Sequence, residues 1–227
     1  MNAVVLSLGG SLIVPDGIDV EVLTKFRQLV LKHVAQGTRF FIICGGGKTC
    51  RNYQAAASAL VPMNKEDLDW VGIHVTRMNA AFVRMLFKGV AFKHIIGDPT
   101  KKVRLGQKDM VVVGAGWEPG WSTDFDAVMI AKTYGVDTIM NLTNVDYAYD
   151  KDPYKFKDAT KLIDISWRAF RKIVGDTWTP GMNAPFDPIA SKQAEKLALK
   201  VIITNGRNLD NLERHLVGKP ASGTVIH

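Results

Sequence analysis

Residues 4–13 read VVLSLGGSLI, an apolar run that stops at two glycines and a serine. Its apolar start reads as a strand, and glycine punctuates its end. It reads either as a buried strand with a tight turn or as a strand that delivers a phosphate-binding loop. Ser7 sharpens the choice, because it leaves the strand leading into such a loop without a positive charge. The same arrangement recurs. RFFIIC (39–44) runs into Gly45-Gly46-Gly47, MVVVGAG (110–116) into a polar loop, and DTIMNLTNV (137–145) into DYAYDKDP. KHII (93–96) and VIITNG (201–206) add further strands, and GTVIH (223–227) a last short one. Parallel strands covered on both faces read as continuous apolar runs of this kind.

Helical patterns alternate with these strands. They cover 19–37, 48–60, 64–87, 122–135, 165–175, 187–200 and 208–218. Val22, Phe26, Leu29, Val30 and His33 share a face of the first. Asn64 and Ser122 stand where N-caps belong, and Gly37 and Gly135 where helices stop. Strand–helix alternation along the whole chain predicts a three-layer α/β/α sandwich with a mostly parallel central sheet. Residues 145–186 carry the most loop signals, in YDKDPYKFKD and GDTWTPGMNAPFDP.

The 227 residues suffice for one large α/β domain. Hydrophobic residues make up 47% and charged residues 22%, ordinary values for a water-soluble globular chain. No apolar run reaches the ~18 residues of a membrane span, so no membrane partner is expected. The N-terminus lacks the basic segment and cleavage site of a signal peptide. Cys44 and Cys50 make no disulfide framework, which points to a cytoplasmic setting. The net charge of +7 is spread along the sequence, without the aromatic–basic alternation of a single-strand binder. A small anionic substrate is expected rather than nucleic acid.

In an open α/β sheet, ligands bind at the carboxyl ends of the strands. Four segments put glycine or small polar residues there: LGGS (8–11), CGGGKTCR (44–51), GAGWEPGWSTD (114–124) and LTNVDYAYDKDP (142–153). Glycine lets successive amides approach a phosphate, and a following helix N-terminus adds partial positive charge. Lys48 and Arg51 add cationic donors after the glycine triplet. The triplet is neither a Walker A loop nor a GxGxxG fingerprint, and a tight strand-to-helix turn is its plainer reading. Ser122 and Thr123 offer hydroxyls at a helix start, where Ser122 also serves as a cap. Tyr147 or Tyr149 could stack on a base and Asp152 accept from a ribose, against a plain solvated turn. His74 and His94 read as structural, and no His/Cys spacing makes a zinc site. Four such loops on one edge suggest a cleft for two phosphate-bearing ligands and phosphoryl transfer.

In this order and spacing the motifs GGGKTCRNY, DWVGIHVTRMNAAFV, PGWSTDFDAV, TNVDYAYDKDP, FDPIASK and GTVI resemble the amino acid kinase superfamily, and within it the archaeal-type UMP (uridylate) kinases. The resemblance covers essentially the whole chain. It implies a single amino acid kinase domain over 1–227, with a phosphate-acceptor half at about 1–125 and an ATP-binding half at about 126–227. It also implies in-line, magnesium-assisted transfer of the ATP γ-phosphate to UMP. By motif, Ser7, Leu8, Gly9, Gly10, Ser11, Gly47 and Arg51 would face ATP phosphates, and Thr143, Asn144, Tyr149 and Asp152 its nucleoside. Gly46, Asp69 and the run Trp117, Glu118, Pro119, Gly120, Trp121, Ser122 and Thr123 would hold UMP. Arg51, Lys48 and Asp187 would serve the transfer itself, with Asp124 and Asp146 as further candidates for ordering the metal. No metal ligand is assigned. A homo-oligomer, by resemblance a hexamer, is implied.

The chain departs from the pattern in three places. Ser7 stands where many superfamily members carry lysine, Tyr147 replaces a glycine, and Trp117, Glu118 and Trp121 make an unusual acceptor loop. Two alternatives follow: a nucleotide-binding storage protein for molybdate or tungstate, which resembles UMP kinases, and a kinase of this superfamily with another acceptor. The stretch Lys48–Arg51 lacks the histidine that isopentenyl phosphate and fosfomycin kinases place there.

Overall fold

The structure is a computed structural model and describes residues 2–153, 155–177 and 184–227. Part of the GDTWTPGMNAPFDP segment and Tyr154 therefore lie outside the described residues. β1 (Ala3–Leu8) leads through a one-turn helix α1 (Gly10–Ile13) to α2 (Val20–Ala35) and β2 (Arg39–Cys44). α3 (Gly47–Leu60) and α4 (Lys65–Leu86) follow, then β3 (Val111–Gly114), α5 (Thr123–Tyr134) and β4 (Thr138–Thr143). The chain continues with β5 (Asp164–Ile165), α6 (Trp167–Val174), α7 (Pro188–Lys196), β6 (Lys200–Asn205), α8 (Leu209–Leu216) and β7 (Thr224–Ile226).

Among the described residues the strands form one sheet in the order β3-β2-β1-β4-β6-β7-β5. All neighbours are parallel except β6 and β7. This is the expected three-layer architecture, with the antiparallel pair near one edge. The chain order reverses around β1, which has β2 on one side and β4 on the other. That is the switch point where such sheets open a crevice.

Strand parity divides the core in two. Val5, Phe41, Ile43, Val112 and Ile139 face the layer of α5, α6 and α7, with Phe125, Trp167, Phe170 and Phe186. Val4, Leu6, Leu8, Phe40, Ile42 and Met140 face the other layer, with Phe26, Phe87 and Leu212. Successive side chains on a strand point to opposite faces, so Ser7 lies on the α5 side, between Val5 and the end of the strand. The capping residues act as the sequence suggests. Asn64 accepts from the Asp67 amide at 2.8 Å and Ser122 from the Phe125 amide at 3.2 Å. Gly135 closes α5 at φ 69°.

Two readings need correction. KHII is not a strand: the segment touches β3 only through isolated bridges, Ala91 to Val111 and Ile96 to Gly114. It covers the outer edge of β3, a common way to blunt an edge strand. The LGGS segment is also not simply a loop, since Gly10 already begins α1.

Candidate active site

The four segments do meet at the carboxyl ends of β1, β2, β3 and β4. The first two are locked together backbone to backbone. The Gly45 amide donates to Leu8 O at 2.9 Å, while the Gly9 amide ties the first segment to the fourth through Leu142 O at 3.0 Å. A Cβ on Gly10 would stand 2.0 Å from Gly47 N, and one on Gly47 2.4 Å from Gly10 O. Gly47 also has φ +66°, a left-handed conformation that L side chains resist. Glycine at these two positions lets the LGGS and GGGK backbones touch, so that both sets of amides serve one small volume.

α4 braces this assembly. Asn79, buried on its inner face, donates from Nδ2 to Gly45 O at 2.8 Å and Gly46 O at 3.3 Å. The Thr76 hydroxyl accepts from the Gly116 amide at 2.9 Å, and Arg77 reaches Trp117 O at 3.3 Å. The sequence reading had not singled out these three residues. Thr76, Asn79 and Val83 share the buried stripe of α4. A polar residue on an apolar stripe was the available signal.

Beneath the loops lies a cluster of acids. The Ser7 hydroxyl donates to Asp124 Oδ1 at 3.2 Å, and the Asp187 amide to Asp124 Oδ2 at 3.2 Å. Asp187 caps α7 through Oδ1, which accepts from the Ala190 amide at 2.6 Å, while its buried Oδ2 has no partner among the described residues. Burial and then the charge of Asp187 push the Asp124 carboxyl up to about 7. Burial also raises Asp187. Asp126, one turn face away, is likewise driven well above the carboxylate range by burial. Asn141, paired in register with Ser7, completes the polar patch and donates to Pro185 O at 3.3 Å. No cation pairs with Asp124 or Asp187 among the described residues.

The cationic candidates sit higher. Lys48 pairs with Asp16, at the far side of the first loop. Arg51, in the first turns of α3, is exposed and makes no hydrogen bond or ion pair among the described residues.

Two clefts open from this edge. One, of about 670 Å³, is lined by Lys65, Glu66, Asp69, Trp70, Glu118, Pro119, Gly120 and Ile189. Asp69 Oδ2 accepts from the Gly120 amide at 2.8 Å, tying α4 to the acceptor loop. Ser122 and Thr123 start α5 beside it. Trp121 is not among the lining residues: it stacks on Phe125 at 4.1 Å and faces Trp117 at 6.3 Å. The aromatic ring this cleft carries is Trp70. The other cleft, of about 350 Å³, is lined by Asn144, Tyr149, Asp152 and their neighbours, with Pro185 from the opposite wall. Thr143 stands at its edge, where its hydroxyl donates to Asn144 Oδ1 at 3.3 Å. Tyr147 takes no left-handed backbone, so the turn accepts it without strain, and Lys161 lies 5.0 Å over its ring. His74 and His94 are exposed, each against one aromatic neighbour. Among the described residues no three His, Cys, Asp or Glu side chains form a metal cluster, and no helix is long and apolar enough to cross a membrane.

This geometry has close parallels. A sequence model of the Amino acid kinase family matches residues 2–205. A uridylate kinase of Thermoplasma volcanium is 37% identical over 226 residues, covering 99% of this chain and 97% of that protein. One of Thermoplasma acidophilum is 33% identical, covering 99% and 96%. The crystal structure of the uridylate kinase of Archaeoglobus fulgidus superposes with a TM-score of 0.81 at 31% identity, covering 100% of both chains. A family model over residues 2–205 and relatives matched along essentially their full length show that the chain belongs to the amino acid kinase family, in its uridylate kinase branch.

Proposed function

We propose that the protein transfers the γ-phosphate of ATP to UMP, giving ADP and UDP. The observation that carries this reading is the junction of the two glycine loops, tied by Asn79 to the helix that lines the first cleft and by Leu142 to the segment that leads into the second. Donor and acceptor phosphates would meet there over the Ser7–Asp124–Asp187 cluster. The cleft of Asn144, Tyr149 and Asp152 would take the ATP nucleoside. The cleft of Asp69, Glu118, Pro119 and Gly120 would take the UMP nucleoside, with Gly46, Ser122 and Thr123 toward its phosphate. Trp117 and Trp121 would hold the shape of the acceptor loop from behind.

Phosphoryl transfer asks the protein mainly to position two anions and spread charge. The amides of Gly10, Ser11, Gly46 and Gly47 would supply fixed dipoles, which need no reorganisation during reaction, while the Gly9 amide is held by Leu142 O. Arg51, exposed and without a hydrogen bond or ion pair among the described residues, would bind phosphate oxygens in a forked pair. Lys48 would reach the phosphates by leaving Asp16, an exposed pair that costs little to break. Leu8 fixes the approach of the first loop from inside the core.

Magnesium fits the residues present. Asp187 has a buried oxygen without a hydrogen-bond partner among the described residues, and burial raises both it and Asp124, the charge of Asp187 adding to the rise at Asp124. Two carboxylates with no larger cage suit an ion that keeps waters and arrives with phosphates. When bound, magnesium would neutralise charge on the transferring group. Asp124 and Asp187 would hold it, and Ser7 would orient Asp124. Asp146, at the turn after β4, is a weaker candidate for the same task.

We also read the protein as a homo-oligomer of the cytoplasm, a hexamer by resemblance. Support comes from α3, which buries no residue along its length, and from Tyr53, Leu60, Met78 and Met85, apolar and exposed on α3 and α4. A second copy would cover them, and light scattering measures its presence. The catalytic reading is tested by coupled ADP release with UMP, ATP and magnesium, alongside direct detection of UDP. Tight nucleotide binding without UDP from any concentration of UMP refutes it and favours the storage reading.

A further inference from the structure

We propose that the protein carries a second anion site, for a small phosphate-bearing ligand, in a cavity at the amino ends of β1 and β2. The cavity, of about 340 Å³, is lined by Ala3, Arg39, Phe41, Lys102, Arg104 and Tyr134 with their neighbours. Ala3 and Arg39 are the first residues of β1 and β2, whose last residues, Leu8 and Cys44, lead into the glycine loops. Each strand has 6 residues, so the two ends stand about 17 Å apart at about 3.3 Å per step. The strands between them are buried, which makes the cavity separate from the two clefts of the active site.

The lining carries one sign of charge. Arg39, Lys102 and Arg104 are cations, and no acid is among the residues that line the cavity. None of these cations makes an ion pair among the described residues. The acids of the neighbouring segment are turned to other partners. Asp98 pairs with Lys101 at 3.0 Å and accepts from the Thr100 hydroxyl, and Asp109 accepts from the Gly106 amide at 2.7 Å. A cleft lined by one sign of charge concentrates ions of the other.

The donors around the cavity also lack acceptors. A guanidinium has five N–H bonds. Arg39 finds a partner for Nη2, Gly106 O at 2.9 Å, while its Nε is buried without a hydrogen-bond partner among the described residues. Buried polar groups are ordinarily satisfied by protein, water or an ion. Along residues 102–105 only the Val103 amide has a partner among the described residues, the Tyr134 hydroxyl at 3.2 Å. Lys102 is held by a ring rather than by a carboxylate: its Nζ stands 5.8 Å from the Tyr134 centroid, and that ring lies on Phe41 at 4.4 Å. A single carboxylate entering here would leave cations unmatched. A phosphate or diphosphate has oxygens for all of them, with Arg104 able to fork onto two.

Calorimetry with inorganic pyrophosphate in EDTA tests the site. Pyrophosphate also enters the phosphate site of the glycine loops, so the readout is the binding that Lys102→Ala/Arg104→Ala removes. Both side chains are exposed, so this variant keeps the fold. The wild-type chain is expected to bind one pyrophosphate per chain more than the variant, with a Kd below about 1 mM. Lys196→Ala/Lys219→Ala makes the same change of charge elsewhere on the exposed surface and should bind as the wild type does. Titration with ATP separates two sources of the phosphate. One ATP per chain more in the wild type than in the variant makes the ligand the phosphate tail of a nucleotide, and equal ATP binding makes it a free phosphate ion. Equal pyrophosphate binding by the wild type and Lys102→Ala/Arg104→Ala, or a loss that Lys196→Ala/Lys219→Ala shares, overturns the inference. UMP turnover plays no part in this readout, so the site and the proposed function fail separately.

Discussion

Replacing Gly47 by alanine tests whether the two glycine loops are joined by backbone contact. The substitution carries two separable costs. Gly47 has φ +66°, and an L residue held there loses about 1–2 kcal/mol. The new Cβ would also stand 2.4 Å from Gly10 O and 2.6 Å from Gly10 C, both main-chain atoms that cannot rotate away. Overpacking of that kind costs about 1–3 kcal/mol. Two other glycines isolate the parts. Gly37 has φ +89° and open space around its Cβ position, so Gly37→Ala carries the backbone cost alone. Gly10→Ala carries the clash alone, its Cβ 2.0 Å from Gly47 N. Thermal unfolding reads the costs at roughly 2–4 °C per kcal/mol for a chain of this size. Gly47→Ala should lose about twice what Gly37→Ala loses. The double variant of Gly10 and Gly47 should lose less than the sum, because both force open the same contact. Turnover should separate the variants further. Moving either loop by about 1 Å displaces phosphate-facing amides, a fault worth about 100-fold in rate, while Gly37→Ala keeps full turnover. If Gly47→Ala matches Gly37→Ala in both midpoint and turnover, the backbone junction is not what positions the phosphates.

Other consequences are equally direct. Asn79→Ala removes the donor to Gly45 O and Gly46 O. Leaving these carbonyls without it should cost about 1–3 kcal/mol in unfolding and lower kcat/KM, whereas unchanged kinetics would show that the brace is dispensable. The Asp124 carboxyl sits up to about 7 in the folded chain, against an ordinary value of 3.8. The folded state therefore holds a proton that the unfolded state has lost between these values, and stability falls as pH rises from about 4 to 7. Asp124→Asn in EDTA should flatten that fall and unfold at a higher temperature than the parent at pH 8, with no gain at pH 3.5; parallel curves would refute the assignment. Arg51→Ala should cut turnover at least ~100-fold with little change in unfolding, since the side chain is exposed and has no partner to lose among the described residues. Retained turnover would remove Arg51 from the phosphate site.

The fold was legible wherever one local signal was sufficient. Apolar runs marked β1, β2, β4 and β6, and Asn64, Ser122 and Gly135 marked helix ends by their own hydrogen bonds or φ. KHII misled because an apolar run does not reveal whether its amides find a full ladder; here they meet β3 at isolated points. The antiparallel direction of β7 and the two-residue β5 depend on pairing across long separations, and no local pattern encodes them. The glycine loops were visible as phosphate-binding candidates, but their mutual contact was not, since residues 10 and 47 meet only after β1 and β2 pair. Ser7 shows the same limit. In the sequence it was a missing lysine. In the structure, strand parity turns it toward Asp124, where its hydroxyl orients a carboxylate. Trp121 drew attention as a large ring in the acceptor loop, yet Phe125, one turn later, claims its face. Trp70 lay unnoticed in a helical pattern because its exposure depends on where the loop after β3 comes to rest.

The central claim is that two clefts meeting at the glycine-loop junction bring ATP and UMP together for direct transfer. A single-turnover reaction of the enzyme with γ-labelled ATP, UMP and magnesium measures this most directly. Label should pass to UDP in step with ADP formation, one for one. Label released as inorganic phosphate, or ATP left intact beside bound UMP, would contradict it.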